Sequence, residues 1–223
     1  MAEQTEAIQG AQVLAFDLDG TLIDTSDAML EVYHQVFEEA IESGDAQEQP
    51  SKEEIYASFG MIGKEAWRKV APDMSEEQHR KYKQRHDDLL DEKMSRDSFA
   101  LPGVPELLKE LSRHYEIATA SNCGEGYLNN VLRSDDLGEY VTYKLCAGVV
   151  EASEKSEVLE ELKRRAEGKK IVMVGDRKSD IDAARKAGVP VIGVESEFAE
   201  PGELDEADAV IGRITDLPKL LKG

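Results

Sequence analysis

Two aspartates separated by one residue follow a short apolar run near the start of the chain. The run Val13–Phe16 is long enough for a buried strand and too short for a helix, and Asp17 and Asp19 follow it directly. A regular strand would place both carboxylates on one side, but Gly20 interrupts the regular backbone. Paired acids at a strand end favour a bound cation or a shared proton. A plain surface turn is the alternative, because Asp and Gly are common turn residues.

The chain beyond residue 97 alternates between strand-like and helix-like segments. Short apolar runs typical of buried strands are followed by amphipathic helical patterns, which predicts an α/β fold with a doubly wound parallel sheet. Strands are expected at residues 13–16, 115–120, 141–147, 171–174, 189–194 and 209–211. The clearest of these, Ile171–Val174, ends at Gly175 and Asp176.

The segment between the first two expected strands has a different character. Helical periodicity runs through residues 25–97 without a convincing strand, and Ser51 with Glu54 fits a capping box. We therefore predict two domains. A Rossmann-like core comprises residues 1–24 and 98–223, and an all-helical cap is inserted after the first strand.

The charge balance limits the classes of partner. The chain has 47 acidic and 27 basic residues and a formal net charge of −20, which disfavours nucleic acids and anionic membranes. The first ten residues contain no secretion signal, and no apolar run approaches the ~20 residues needed to cross a bilayer. Cys123 and Cys146 suggest small buried residues in a reducing compartment rather than a disulfide framework. These features predict a soluble cytoplasmic protein.

Three further strand ends, or the loops after them, carry polar side chains. Ser121 and Asn122 follow one strand, Lys155 precedes a helix, and Asp176 and Asp180 follow the strand at 171–174. Ligands bind at the carboxyl ends of the strands in a doubly wound sheet. Helix capping or plain solvation would explain each group on its own. Their joint occurrence at one edge favours a site with acids for a divalent cation and donors for an anion.

These motifs resemble those of the haloacid dehalogenase-like hydrolases, in the branch of phosphoglycolate phosphatase and β-phosphoglucomutase. The run from Asp17 to Thr21 is similar to the first motif of that family, Ser121-Asn122 to the second, and Gly175–Asp180 to the fourth. The resemblance spans nearly the whole chain, because this branch inserts a helical cap after its first strand.

The third motif of the family is a lysine, and this chain offers two. Lys155 precedes a helix at the matching place, although Ser156 stands where a proline often follows. Lys144 is the alternative.

The resemblance implies a role for each acid. Asp17 would be the nucleophile that forms an aspartyl phosphate, and Asp19 would protonate the leaving oxygen and later deprotonate water. Mg²⁺ would be held by Asp17, the backbone carbonyl of Asp19, and Asp176. Asp180 would bind the ion through water or anchor its ligands.

The resemblance also implies which residues contact the substrate. Ser121, the backbone of Asn122, and Lys155 would hold the phosphoryl oxygens, and Lys155 would also pair with Asp17. The cap would select the substrate, and its candidates are Lys64 and Arg68, one helical turn apart. A solvated charged face is the alternative for these two residues, and Trp67 beside them is expected in the core of the cap.

The implied function is a Mg²⁺-dependent phosphatase acting on a small phosphorylated metabolite, such as phosphoglycolate or a sugar phosphate. Asp19 favours phosphoryl transfer over dehalogenation, because a halide leaving group needs no acid. A sugar phosphomutase of the same branch is the first alternative. A signalling receiver module, which also has a phosphorylatable aspartate but needs no cap, is the second. The sequence leaves the oligomeric state open.

Overall fold

The computed structural model describes residues 7–134 and 136–221 and has a six-stranded sheet at its centre. Every strand pair in the sheet is parallel, and the order is β3-β2-β1-β4-β5-β6. The strands are β1 (Val13–Phe16), β2 (Glu116–Thr119), β3 (Val141–Tyr143), β4 (Ile171–Gly175), β5 (Val191–Val194) and β6 (Ala209–Ile211). The predicted α/β fold with a doubly wound parallel sheet is confirmed. Residues 1–6, which belong to the ten-residue stretch predicted to contain no secretion signal, lie outside this description.

Helices connect the strands and fill the long segment after β1. The α-helices are α1 (Ser26–Glu42), α2 (Lys52–Tyr56), α3 (Gly63–Val70), α4 (Glu76–Met94), α5 (Val104–Leu111), α6 (Glu125–Ser134), α7 (Ala147–Val150), α8 (Lys155–Arg165), α9 (Lys178–Ala187) and α10 (Leu217–Leu221). We call α1–α4 with their connections, residues 26–94, the helical segment. It contains no β-strand, and the capping box of Ser51 and Glu54 begins α2. In the described part of the chain, no helix has the length and apolarity to cross a membrane.

Strand β1 lies in the middle of the sheet, between β2 and β4, and both of its faces are buried. Leu14 and Phe16 join the core formed with the helical segment and α5, whereas Val13 and Ala15 join the core beneath α8 and α9. A strand covered on both faces is expected to be continuously apolar, as this one is. The chain therefore leaves β1 at Asp17 in the middle of the carboxyl edge of the sheet.

The expected strand at 141–147 is wrong in its second half, because β3 ends at Tyr143. The hydroxyl of Thr119 accepts a hydrogen bond from the backbone N–H of Leu145 and donates one to its carbonyl, at 3.0 and 2.9 Å. A side chain thus satisfies the backbone groups that a continued ladder would have used. Leu145 is buried in the connection to α7, and its apolar character explains why the sequence suggested a longer strand.

Trp67 lies in the core of the helical segment, as expected. Its ring centroid lies 5.3 Å from that of Tyr33 and 6.0 Å from that of Phe37, and 2% of the residue is exposed. Both partners belong to α1, so this aromatic group joins α3 to α1. The same indole also lines the cavity described below.

Candidate active site

Gly20 shapes the turn that follows β1. Its φ of +77° is a left-handed conformation that side chains rarely adopt. A Cβ at this position would lie 2.1 Å from Oδ2 of Asp176, so there is also no room for a side chain here. The turn can therefore approach the end of β4 closely and bring Asp17 beside Asp176.

Three buried carboxylates meet at this edge of the sheet. Oxygens of Asp17, Asp176 and Asp180 lie within 4.8 Å of one another. Gly175 makes room for this cluster, because a Cβ there would lie 2.3 Å from Cγ of Asp180. The ends of β1 and β4 and the first turn of α9 thus converge as the strand-end pattern suggested.

Lys155 enters the acid cluster from the start of α8. Its Nζ lies 3.0 Å from Oδ1 of Asp17 and 2.5 Å from Oδ1 of Asp180, and 3% of the residue is exposed. Burial would lower the pKa of Lys155, but the charges of Asp17 and Asp180 raise it well above its ordinary value. Lys144, the alternative lysine, is exposed at the end of β3, outside the cluster.

The cluster holds more negative charge than Lys155 can balance. Burial raises the pKa of Asp176 to about 7, assisted by the charges of Asp17 and Asp180. Burial likewise raises the pKa of Asp180 to about 6, against the effect of Lys155. Oδ1 of Asp17 is buried, and its partner is the ammonium of Lys155 at 3.0 Å. Three crowded, buried carboxylates that share one ammonium fit a hard divalent cation such as Mg²⁺.

Asp19 occupies a different environment from Asp17. Its Oδ1 accepts hydrogen bonds from Oγ1 of Thr25 at 2.7 Å and from the hydroxyl of Tyr127 at 2.5 Å. Burial raises the pKa of Asp19 to about 6, although both hydroxyls act in the opposite direction. The two aspartates of the first motif therefore differ in their partners as well as in their position.

Ser121 and Asn122 follow β2 and line the same cavity as the acids. Ser121 is buried, and its backbone carbonyl accepts a hydrogen bond from the N–H of Ala147 at 2.8 Å. The Nδ2 group of Asn122 donates to the carbonyl of Gly60 at 2.7 Å. The loop after β2 is thus fixed to α7 on one side and to the helical segment on the other.

Residues 14–194 match the family model described as haloacid dehalogenase-like hydrolase. The chain belongs to this family. It is 23% identical to a phosphoglycolate phosphatase of Photorhabdus laumondii subsp. laumondii, covering 96% of this chain and 93% of the relative. In fold it is similar to a predicted phosphoglycolate phosphatase of Haemophilus somnus 129pt, with a TM-score of 0.84, 18% identity, and 95% and 98% of the two chains covered. A β-phosphoglucomutase of Clostridium difficile gives a TM-score of 0.74 at 17% identity, with 93% of each chain covered.

Membership of the haloacid dehalogenase-like hydrolases makes the chain an enzyme and removes the receiver-module alternative. The matched stretch runs from Leu14 in β1 to Val194 in β5 and so contains the acid cluster, Lys155 and the loop after β2. The likeness to the solved structures extends this agreement in fold to nearly the whole chain.

Three side chains that contact the acids of this hydrolase were missed by the sequence reasoning. Thr25 and Tyr127 bond Asp19, and Ser196 donates to Oδ2 of Asp176 at 2.7 Å. Ser196 follows the end of β5, so the strand-end argument could have found it. Tyr127 lies in α6, where no pattern in the sequence distinguishes it from an ordinary helix residue.

A cavity of about 350 Å³ lies between the carboxyl edge of the sheet and the helical segment of this hydrolase. The acid cluster, Lys155 and the loop after β2 line one side of it, and α1, α3 and α4 line the other. Cys123 also lines the cavity and is partly exposed, whereas Cys146 is buried, so the expectation of two buried cysteines is wrong for Cys123.

The structure does not bring Lys64 and Arg68 to the cavity. The inward face of α3 is formed by the buried residues Ala66, Trp67 and Val70, and both cations lie on the exposed side. Arg68 is paired with Glu76 at 2.7 Å. The solvated-face alternative therefore describes these two residues, and the lysine that lines the cavity from the helical segment is Lys83 of α4.

Proposed function

We propose that this hydrolase is a Mg²⁺-dependent phosphatase that acts on a small phosphorylated metabolite through an aspartyl phosphate. The observation that carries the proposal is the buried carboxylate of Asp17, held 3.0 Å from Lys155 at the edge of the cavity. The relatives named phosphoglycolate phosphatase support phosphate-ester hydrolysis as the reaction class. Two free cysteines favour a reducing compartment, and we place the enzyme in the cytoplasm.

Asp17 acts as the nucleophile in this proposal. The ammonium of Lys155 lies 3.0 Å from the Asp17 carboxylate and orients it at the edge of the cavity. Attack by a carboxylate oxygen on phosphorus forms the acyl phosphate bond and breaks the bond from phosphorus to the ester oxygen. The substrate is thereby divided into a covalently held phosphoryl group and an alcohol.

Asp19 moves the protons for both half-reactions. Thr25 and Tyr127 both bond Oδ1, which leaves Oδ2 to exchange a proton with the leaving oxygen. The pKa of about 6 allows Asp19 to carry a proton close to neutral pH. Once the alcohol has left, the ionised Asp19 accepts a proton from water as the water oxygen attacks phosphorus. Inorganic phosphate is released and Asp17 is restored.

The charge of the phosphoryl group is balanced by a cation and by donors. Asp17, Asp176 and the backbone carbonyl of Asp19 would hold Mg²⁺, with Asp180 behind them. When bound, the ion supplies positive charge that reduces repulsion between the nucleophile and the phosphate.

The donors come from the loop after β2 and from α8. Ser121, the backbone of Asn122, and Lys155 would hold the phosphoryl oxygens, where charge collects in the transition state. Burial of Ser121 and Lys155 excludes water from these contacts and strengthens them.

Replacement of the nucleophile tests the proposal directly. Asp17→Asn is expected to abolish phosphate release from p-nitrophenyl phosphate in the presence of Mg²⁺, while circular dichroism shows the fold intact. The matched control is Asp182→Asn, which changes an exposed aspartate of α9 and should leave the rate unchanged. Turnover by the Asp17→Asn protein would remove Asp17 as nucleophile. Phosphorus NMR that shows a sugar phosphate isomerised without phosphate release would support the phosphomutase instead.

A further inference from the structure

We propose that the leaving group of the natural substrate is uncharged and largely apolar, and not a carboxylate-bearing group such as glycolate. This inference rests on the phosphatase function proposed above and concerns the cavity that adjoins the catalytic acids. The group esterified to phosphate must occupy this cavity, because the cavity is continuous with Asp17 and Asp19. The lining of the cavity therefore selects the leaving group.

Large apolar side chains form much of the wall. They come from three helices of the helical segment, from the connection before α3, and from the loop after β5. They are Met29, Tyr33, Phe59, Trp67, Leu90 and Phe198. A carbon framework gains ~25 cal/mol for each Å² of apolar surface that such a wall removes from water. A two-carbon acid has little apolar surface to offer this wall.

Every lysine and arginine that lines the cavity is already paired with a carboxylate. Nζ of Lys83 lies 2.5 Å from Oδ2 of Asp87. Lys155 is held by the acid cluster, as described above. Nε of Arg177 lies 3.0 Å from Oε1 of Glu203. Among the described lining residues, no cation is left to receive a carboxylate of the substrate.

Carboxylates exceed cations on the wall formed by the helical segment. Asp87 and Asp91 of α4 line the cavity one helical turn apart, and Asp24 lines it just before α1. Burial acts to raise the pKa of Asp87, but the contacts with His86 and Lys83 outweigh it and the pKa is lowered. Asp87 is therefore ionised at neutral pH. Lys83 is the one opposing cation, and a carboxylate on the leaving group would meet net negative charge.

A matched pair of esters tests the inference. Benzyl phosphate and 4-carboxybenzyl phosphate have similar alcohols as leaving groups and differ in a remote carboxylate. With Mg²⁺, we expect kcat/KM to be at least about tenfold higher for benzyl phosphate, since ~1.4 kcal/mol of repulsion gives this factor. Equal values, or a preference for the carboxylated ester, would overturn the inference and leave the proposed function standing. Failure of the enzyme to hydrolyse either ester would count against the proposed function itself.

A variant of Asp87 provides the second arm. Asp87→Asn removes one negative charge and frees Lys83 from its partner, so kcat/KM for 4-carboxybenzyl phosphate should rise by about fivefold to tenfold. The preference for benzyl phosphate over 4-carboxybenzyl phosphate should therefore shrink by about the same factor, because an uncharged ring has no strong interaction with either charge. The control is Glu92→Gln on the same helix, because Glu92 is exposed, pairs with Arg96 and does not line the cavity. A fall in activity on the carboxylated ester in Asp87→Asn would contradict the inference, since it would show that the Lys83–Asp87 pair recognises the carboxylate.

Discussion

The hydroxyl of Tyr127 lies 2.5 Å from Oδ1 of Asp19, and Oγ1 of Thr25 reaches the same oxygen at 2.7 Å. The two hydroxyls are themselves 2.9 Å apart, so the three groups form a closed triangle. A carboxylate with one oxygen held by two donors has a fixed plane and one oxygen available for proton exchange. The triangle thus joins the turn after β1, the start of α1 and the first turn of α6.

Tyr127→Phe should affect substrates according to their leaving groups. An alkyl alkoxide needs a proton as it departs and p-nitrophenolate does not, so a misaligned Asp19 slows the first reaction selectively. We expect kcat for benzyl phosphate to fall about tenfold or more, which is part of the ~10²–10⁴-fold that a positioned acid contributes. The rate with p-nitrophenyl phosphate should change by less than about threefold.

Tyr143→Phe is the matched control for this prediction. Tyr143 also donates to a carboxylate, that of Glu116, but it lies in β3 away from the cavity lining. Loss of the Tyr143 hydroxyl should leave the rates with both substrates unchanged. An equal decline on both substrates in Tyr127→Phe would mean that Tyr127 supports the fold rather than the alignment of Asp19.

Lys155→Met should destabilise the protein as well as inactivate it. The change leaves the carboxylates of Asp17 and Asp180 buried without their cation, and breaking a buried pair of this kind costs about 3–5 kcal/mol. Urea denaturation at pH 8 without Mg²⁺ measures the loss. Lys144→Met, at the other candidate lysine, should change the free energy of unfolding by less than about 0.5 kcal/mol. Similar losses in both variants would contradict the assignment of Lys155.

Thermal stability without Mg²⁺ should fall as the pH rises from about 5 to 8. Burial raises the pKa of Asp176 to about 7 and that of Asp180 to about 6, from an ordinary value of 3.8 for both. The folded state therefore binds protons more tightly than the unfolded chain. This stabilisation is complete below about pH 3.8 and is lost as the pH rises through 6 and 7.

Mg²⁺ should reverse this trend, because it binds the ionised carboxylates. The increase in Tm on addition of Mg²⁺ should accordingly be larger at pH 8 than at pH 5.5, and EDTA should stop turnover. Differential scanning fluorimetry across this range, with Na⁺ at equal ionic strength as the control, makes the comparison. A Tm that responds equally at both pH values would place the cation somewhere other than the acid cluster.

Gly20→Ala should damage the site more than backbone strain alone explains. An alanine at φ +77° costs roughly 1–2 kcal/mol in any context. At Gly20 the added Cβ would also meet Oδ2 of Asp176 at 2.1 Å, so the acid cluster must move. Gly44→Ala separates the two effects, because Gly44 has the same φ of +77° with no atom within 4 Å. Both variants should lose stability through the strain of a positive φ. Only Gly20→Ala should also lose the increase in Tm on addition of Mg²⁺.

The parts of the fold and site that could be predicted are those governed by local sequence. The apolar runs before Asp17 and Asp176 are recognisable as strands, because a strand that is buried on both faces consists almost entirely of apolar residues. Parallel topology then places their carboxyl ends together, so the acid cluster follows without any knowledge of packing.

The parts that could not be predicted depend on which face of each helix is turned toward the cavity. In the sequence, Tyr127 and Lys83 look like ordinary helical residues, and only the tertiary packing places them in the cavity lining. Lys64 and Arg68 were misplaced because their charge was weighed without the helical face they share. Ala66, Trp67 and Val70 together form the buried face of α3, and Lys64 and Arg68 both lie outside it.

Ser196 links the two sides of the cavity. Its Oγ donates to Asp176 and accepts the N–H of Phe198 at 3.2 Å. The Phe198 ring in turn packs edge-on against Tyr56 and Phe59, with centroids 6.0 and 6.1 Å away. One hydroxyl therefore connects the carboxylate of Asp176, at the base of the site, with the aromatic contact of Phe198 on the opposite side of the cavity. A displacement of either residue is transmitted to the other through Ser196.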